Sequence, residues 1–569
     1  MNTDNYDFAK SSMPQGEESY SPYVDKQTNN YINDLNGGIY SLNQSLVSFD
    51  LGSIYNSSRF TNTDDMFLTI PVTMVFNLSS GNGATNYVPP TAGWALQTLK
   101  SNYMNLIHQA DIQVDGKTIS ETQPFINCLT HVRMLSEMSV GDLKTLGSTL
   151  GFSDVLDSTN SMIWNGNTAT VNGQGMTNNT IFGLPNQNTC AANQNTGCCN
   201  EAILKRASKL ADVSKAGVQN IWGTIITQPQ LNADFKPYYT TGSTNYGIVY
   251  DLAIIRLKDL FDCMSNIGLV RRFNGTLRIY VNTGVLYLGC IANNVVPQYS
   301  FNGANSTFNN TCPFTINNLA ATAANGGIST GATQITAGLF IGKALTTSSN
   351  GVNLALSGAS HPLTSCRLYF SSITMNPQKA LEYTQSNRQK KVVYRSYYFN
   401  QINNVSAGSS YSALLQSGIV NPYALIMIPY ISSQQTGIGC YQWQSPFDTC
   451  PATGAPIILQ NLQVQLGSVN ILNNPYYYGF EDYVTQFSTA EALTSSDIGV
   501  ANGLITKEWF EMNRIYYVNL SRGTPADKAT PRNIVVSFNN QSAVAIDLLC
   551  FCVYLDDLII DTETGLVQH

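Results

Sequence analysis

Charge is the scarcest ingredient of this 569-residue chain: Asp, Glu, Lys and Arg together make up 11%, less than half of the roughly 25% usual in soluble domains. The surface must therefore be covered by neutral amides, hydroxyls and the 31 tyrosines, and such a surface repels its own copies weakly. The formal net charge of −7 is small for the length, and the longest basic stretch is RQKK at 388–391. That excludes the electrostatic footprint of a strong nucleic-acid binder. Histidine is nearly missing. His108, His131, His361 and His569 are the whole supply; none stands in HExxH or another ligand spacing, so their roles are read as structural.

Other absences narrow the chemistry further. No GxSxG elbow, P-loop or strand-to-helix GxGxxG occurs, which removes the usual support for a hydrolase or a nucleotide-binding enzyme. The 12 cysteines are scattered without a CxxC pair, so free thiols are expected rather than zinc or a disulfide framework. Cys190, Cys198 and Cys199 share one Asn- and Gly-rich loop but have no histidine beside them. Asp448, Glu481, Asp482 and Glu508, and the C-terminal group Asp556, Asp557, Asp561 and Glu563, match neither a paired-carboxylate glycosidase nor an EF-hand. They read as solvated turn acids. No catalytic, cofactor-binding or metal residue is therefore assigned, and sequons such as Asn56 and Asn77 are given no glycan. No signal-peptide pattern and no apolar run near the ~18–20 residues of a spanning helix is present, so a soluble product made in the cytosol is expected.

What the chain does have is strands. In IILQNLQVQLGSVNIL (457–472), Leu462, Val464 and Leu466 alternate with Gln463 and Gln465, the two-residue period of a strand with one dry face. The phase slips at Gly467-Ser468, which predicts a reversal or bulge. MFLTIPVTMVFNL (66–78) holds one parity from Met66 to Leu78, with Pro71 pointing to an edge or bend. IDLLCFCVYL (546–555) is apolar on both parities, as suits a strand covered on both faces. Three i, i+3, i+4, i+7 stripes predict packing helices: Phe125, Cys128, Leu129, Val132; Leu257, Leu260, Phe261, Met264; and Phe480, Tyr483, Val484, Phe487.

The order of pieces suggests duplication. ADIQVDGKTI leads into the helix at 124–138 and then GTLRIYVN, whereas LQVQLGSVNI leads into the helix near 479–488 and then RIYYVNL and RNIVVSFNN. Asn376 as an N-cap and Pro377 at the first helical position mark a short helix between the halves. The division is an acidic flexible arm (1–40), a first domain (41–376), a helical linker (377–390) and a second domain (391–569). Residues 151–200 carry only Asp154 and Asp157 as charges and residues 301–360 only Lys343; both are expected to be long loops or small subdomains projected from a sandwich. The arm holds Asp4, Asp7, Glu17, Glu18, Asp25 and Asp34 against Lys10 and Lys26, which makes it a poor holder of a genome.

From about residue 45 onward the chain resembles the double jelly-roll major capsid proteins of polinton-like viruses and virophages, with adenovirus hexon a more distant relative. The stretches that carry the resemblance are YDLAIIRLKDLFDCM with GTLRIYVN, SCRLYFSSITMNPQKALEY, SPFDTCPATGAPIILQNLQVQLGSVNI, YGFEDYVTQF and NGLITKEWFEMNRIYYVNLSR. The resemblance implies a mainly β fold of two eight-stranded antiparallel jelly rolls with no enzymatic activity. It implies a homotrimeric, pseudo-hexameric capsomer that meets neighbouring capsomers, a separate penton protein and minor or cement proteins, in an icosahedral virion assembled inside the host cell. An inner membrane beneath the shell is compatible with it. Two other classes stand beside this reading. A trimeric attachment or carbohydrate-binding β-protein shares the polar composition, but no heptad stalk or shaft repeat occurs. A β-solenoid lyase or glycosidase requires rungs of roughly 20–30 residues, against which the helices and unequal spacings count.

Overall fold

The computed structural model describes residues 24–80, 95–99, 102–152, 238–300, 314–318, 332–342, 365–432, 457–491 and 503–568, apart from short interruptions within these spans. The first part of the chain forms β1 (Val24–Asn33), β2 (Ser45–Asp50), β3 (Phe60–Ser80), β4 (Ala95–Leu99), β5 (Ile107–Val114), β6 (Lys117–Ser120), α1 (Ile126–Glu137) and α2 (Val140–Leu146). There follow β7 (Tyr238–Thr241), β8 (Thr244–Arg256), α3 (Leu257–Leu260), α4 (Cys263–Ile267), β9 (Leu269–Arg271) and β10 (Gly275–Val281). Next come β11 (Gly284–Asn293), β12 (Val296–Ser300), β13 (Phe314–Asn318), β14 (Ala332–Ile341), β15 (Arg367–Met375) and α5 (Pro377–Ser386). The rest holds β16 (Gln389–Val405), β17 (Ser410–Ile419), β18 (Pro422–Ile431), β19 (Leu459–Leu466), β20 (Val469–Asn470), α6 (Phe480–Glu491), β21 (Tyr516–Asn519), β22 (Arg532–Asn540), β23 (Ile546–Asp561) and β24 (Val567–Gln568).

Two sandwiches result, and they share one strand order. In the second, β16-β23-β18-β21 face β17-β22-β19-β20. Numbered one to eight from β16 to β23, these sheets run 1-8-3-6 and 2-7-4-5. In the first, β1-β15-β3-β8 face β2-β10-β5-β6; taken in chain order these eight strands give the same 1-8-3-6 and 2-7-4-5. That is the double-sheet jelly roll, twice over. In each roll the helix α1 or α6 falls between the fifth and sixth strands. The two stretches compared in the sequence are the matching hairpins β5–β6 and β19–β20. The first turns at Asp115-Gly116, both at positive φ (52° and 76°), as a two-residue reversal between right-twisted strands requires. The second turns at Gly467 (φ 65°) and pairs Leu466 with Val469, so the phase slip is a reversal. In β19 Leu459, Leu462, Val464 and Leu466 are buried and the glutamines are half-buried.

Several expectations need correction. The flexible arm does not extend to residue 40, because Val24–Asn33 form β1, paired antiparallel with β15. Polar composition hid it: most of this strand is exposed on both faces, so no apolar alternation marks it. Residues 301–360 are not one loop. They contain β14, which pairs with β3 and β11, and β13, which pairs with β4. Of residues 151–200, those from 153 onward lie outside the described residues. The stripe from Leu257 to Met264 is two short helices, broken where Phe261 turns extended (φ −124°, ψ 106°). Phe125 precedes α1 in a left-handed conformation (φ 59°) instead of belonging to it.

The rolls are not beads on a string. Among the buried apolar residues of α1, Ile126 belongs to the first roll's core, whereas Cys128, Leu129, Val132, Met134 and Leu135 belong to the second's. In return Val392, Tyr394, Leu558 and Ile560, at the outer halves of β16 and β23, enter the first roll's core. This explains the run that is apolar on both parities. Leu548, Leu549, Cys550, Phe551 and Cys552 are all fully buried. One side of their sheet faces β19: Tyr516, which pairs with Met427, accepts a hydrogen bond at its hydroxyl oxygen from the Leu459 N–H at 3.2 Å. The other side, with Ala424, Ile426 and Val553, faces Ile126 and Leu129 of α1. The linker helix α5 opens as expected, with the Asn376 side chain accepting from the Gln378 N–H at 3.1 Å. Its Ala380 packs on Phe60, Leu269, Ile373 and Met375 of the first roll.

Backbone contacts tie the rolls together as well. The Leu504 N–H donates to the Leu135 carbonyl at 2.7 Å, satisfying a carbonyl near the end of α1. Arg271 N–H donates to the Thr562 carbonyl, also at 2.7 Å. At Gly503 (φ 61°) a Cβ would stand 2.3 Å from the Ser136 carbonyl oxygen, whereas at Gly418 (φ 71°) it would meet open space. Gly418→Ala is therefore expected to cost only the left-handed strain of about 1–2 kcal/mol. Gly503→Ala adds a backbone collision and should cost clearly more. Paired urea-denaturation midpoints check this, and equal losses would show that the 503–505 contact does not hold the rolls.

Candidate functional site

The described residue with the densest ionic surroundings sits where the rolls meet. Asp262 lies at the break between α3 and α4, and its carboxylate accepts from Arg133 Nη2 at 3.0 Å, Arg395 Nη2 at 3.1 Å and the Arg395 backbone N–H at 2.9 Å. Arg395, from β16 of the second roll, also reaches Glu137 Oε1 at 2.6 Å. Glu137 in turn lies 3.5 Å from Arg133 Nε, one helical turn back on α1. Two cations and two anions thus close a ring across the seam. Burial pushes the Asp262 and Glu137 carboxyls up, but the guanidiniums of Arg133 and Arg395 outweigh it and hold both below the usual carboxylate range. Beside this ring the contact is aromatic and aliphatic. Phe125 lies 5.2 Å from Phe399, and Phe399 lies 5.4 Å from Phe551. Two hydroxyls stitch the edges: Tyr394 donates to the Ile119 carbonyl at 3.0 Å, and Tyr397 to the Gln123 carbonyl at 3.4 Å.

Two spaces open at this seam among the described residues. One cavity of about 40 Å³, between α1, Leu260–Cys263 and the β16-β23-β18 sheet, has room for about one water. A cleft of about 240 Å³ is lined by Arg133, Glu137, Asp142, Arg256 and Asp259 among others. Its arginines are committed: Arg256 holds Asp259 through two contacts of 2.7 and 2.9 Å, and Arg133 belongs to the ring described above. Asp142 is engaged in capping α2 through Ser139. The arrangement offers ion pairing and shape; it joins two sandwiches.

Those titratable residues singled out from the sequence that are described do not converge. His131 is buried on α1 with its ring 5.5 Å from that of Phe152. His108 lies edge-on to Phe125 at 5.1 Å, and burial lowers its pKa to about 4, so it is neutral near pH 7. Glu481 and Asp482 are exposed in the first turn of α6. Asp557 pairs with Lys391 on the neighbouring strand. Asp561 accepts from the N–H groups of Glu563 and Thr564 at 3.0 and 2.9 Å, the geometry of a turn acid. Among the described residues no group of three His, Cys, Asp or Glu side chains stands in metal-ligating array. Cys128, Cys263, Cys366, Cys550 and Cys552 are buried free thiols. Asp448, Glu508, Cys190, Cys198, Cys199, His361, His569 and Asn56 lie outside the described residues, and Asn77 is a backbone position of β3. Sequence reading missed the ring. Its one visible signal was that Arg133, Glu137 and Asp262 interrupt two apolar stripes in a chain that spends few charges.

No family model matches the chain, and no curated protein matches it. Solved structures do. A chain from the cryo-EM structure of the Sputnik virophage is 12% identical with a TM-score of 0.51, over 98% of this chain and 91% of that one. The mavirus major capsid protein is 10% identical with a TM-score of 0.45, over 98% and 92%. The Faustovirus major capsid protein is 11% identical with a TM-score of 0.37, over 97% and 93%. The strand order seen in both sandwiches and the likeness to the Sputnik chain define the class: this is a double jelly-roll protein.

Removing one member of the ring should expose what it holds. Arg395→Ala leaves Asp262 and Glu137 with Arg133 alone and is expected to cost about 1–3 kcal/mol in urea denaturation; a loss indistinguishable from zero would mean that the ring carries no weight. Acid dependence separates the groups. The depressed carboxyls of Asp262 and Glu137 contribute above their ordinary range and lose that contribution only as pH falls through their lowered folded values. His108, whose pKa drops from 6.5 to about 4 on folding, binds its proton more readily when unfolded, so stability falls as pH goes from 6.5 towards 4. His108→Gln should flatten the melting temperature across that window, and an unchanged slope would assign the acid loss elsewhere.

Proposed function

We propose that the chain is a structural major capsid protein. Three copies close into a capsomer with six sandwiches around its axis, and such blocks tile an icosahedral shell. The observation that carries the reading is the repeated 1-8-3-6 and 2-7-4-5 order in two rolls that share core residues. A subunit made of two like sandwiches, locked at one angle, supplies two of six similar walls of a pseudo-hexagonal block. The fold likeness to a chain of the Sputnik virophage particle supports it.

The division of labour follows the sequence reading with the strand corrections above. β1 together with residues 41–376 makes the first roll, 391–569 make the second, 377–390 link them, and the acidic arm ahead of β1 touches the shell interior or neighbouring subunits rather than nucleic acid. Contacts within the trimer are of the obligate kind, on the order of 2,000 Å² or more. Contacts between capsomers are smaller, which lets misplaced blocks leave. A penton protein fills the five-fold positions, minor proteins cement the faces, and assembly takes place in the host cell. The work is done by shape and self-association, with no reaction.

Negative-stain imaging and mass measurement of the purified chain test this together. Compact three-subunit particles with a hexagonal outline are expected, with no retention of duplex DNA at physiological salt. Monomers at every concentration, or elongated fibres, would overturn the reading.

A further inference from the structure

The seam inside one chain has a counterpart that its described residues leave unused. In the second roll, Phe399, Phe551 and Ile426 stand in register across the first, eighth and third strands. Phe125, at the start of the first roll's helix α1, lies 5.2 Å from the Phe399 ring. In the first roll the same three strands carry Tyr31, Tyr369 and Phe67 in register. Their rings lie 5.5 Å apart for Tyr31 and Tyr369 and 4.8 Å, stacked, for Phe67 and Tyr369. The adjacent rung of Ile32, Leu368 and Leu68 belongs to the core, so the aromatic rung looks outward. Tyr31 is 50% exposed among the described residues, and no described helix between fifth and sixth strands covers this rung. The Arg367 guanidinium lies 4.7 Å over the Tyr31 ring, and its buried Nε has no hydrogen-bond partner among the described residues.

The matching helix of the second roll, α6, carries what the uncovered rung needs. Tyr477, three residues ahead of it, is 48% exposed, as an aromatic side chain near the helix start must be if its rung belongs to another molecule. Glu481 and Asp482 in its first turn are exposed acids, opposite in sign to Arg367. Arg514 donates to the Tyr477 hydroxyl at 3.2 Å and steadies that ring.

We propose that α6 of one copy docks on the Tyr31–Tyr369–Phe67 rung of a second copy of this chain, Tyr477 on the rings and Glu481 towards Arg367. The contact repeats between chains what α1 does within one. It joins unlike surfaces, and a head-to-tail contact of that kind builds a ring when its rotation closes. Two such sandwiches per chain close it at three copies. This assignment rests on the capsomer reading and names the surface that reading uses.

The test uses the full chain. Glu481→Arg replaces attraction to Arg367 by repulsion and should weaken self-association about tenfold or more, read by mass distribution against concentration. Arg367→Glu placed in the same chain should restore it. Asp482 is left alone because it accepts from the Gly479 N–H at 3.0 Å. As a second measurement, Tyr31→Cys combined with Tyr477→Cys, both at exposed positions, should give chain-to-chain disulfides on oxidation, absent from either single variant. If the unmodified chain forms trimers while Glu481→Arg associates equally well and the cysteine pair does not link, the docking assignment is wrong and the capsomer reading stands. If the unmodified chain never associates, both fall.

Discussion

A helix with two dry sides constrains the whole molecule. α1 leaves the first roll but gives most of its apolar residues to the core of the second, each buried Leu or Val contributing roughly 1.5–3 kcal/mol. Because it occupies the outer face of the β16-β23-β18-β21 sheet, that sheet cannot have a wet side, and β23 is apolar on both parities as a result. The rim of the same contact is closed by Arg133, Arg395, Asp262 and Glu137. Such partly buried ions add little net stability, since removing them from water offsets most of their attraction. What they contribute is direction: Arg395 meets acids from two elements of the other roll, and only one relative placement satisfies all of them.

The seam also accounts for how a chain so poor in charge spends what it has. Arg256 with Asp259 and Lys258 with Asp64 lie near the same junction, as does the ring around Asp262. Other ion pairs among the described residues, such as Arg278 with Asp111 and Lys391 with Asp557, join neighbouring strands, and the remaining sheet surface is rich in amides and hydroxyls. A surface of that kind approaches its own copies at low electrostatic cost, and shape then decides which copies stay.

How much of this was legible depended on whether a residue's partner was near in sequence. The alternation in β19, the reversal at Gly467 and the matching hairpins were readable because each is a local pattern. So was the double burial of β23, though not its cause, because the covering helix lies some four hundred residues upstream. β1 was unreadable: its strand is held by β15 and shows neither face to a core along most of its length, so nothing in Lys26 to Asn30 alternates. β14 was lost in the uncharged composition around it. The break at Phe261–Asp262 was hidden because both short helices keep their apolar residues in one continuous phase. The ring at Asp262 joins side chains that only the finished tertiary fold brings within reach.

The pairing of β1 with β15 sets a clock. Thr28 and Ser372, which meet across it, are 344 residues apart in the chain, so at ribosomal speeds of about 5–20 residues per second the first strand is made roughly 20–70 s before its neighbour exists. The strand that must later be flanked by β15, namely β3, waits with an open backbone edge for nearly as long. Newly made polypeptides crowded on one message are therefore at risk of borrowing each other's strands. The amide-rich, weakly adhesive character of β1 limits that hazard until its own partner emerges.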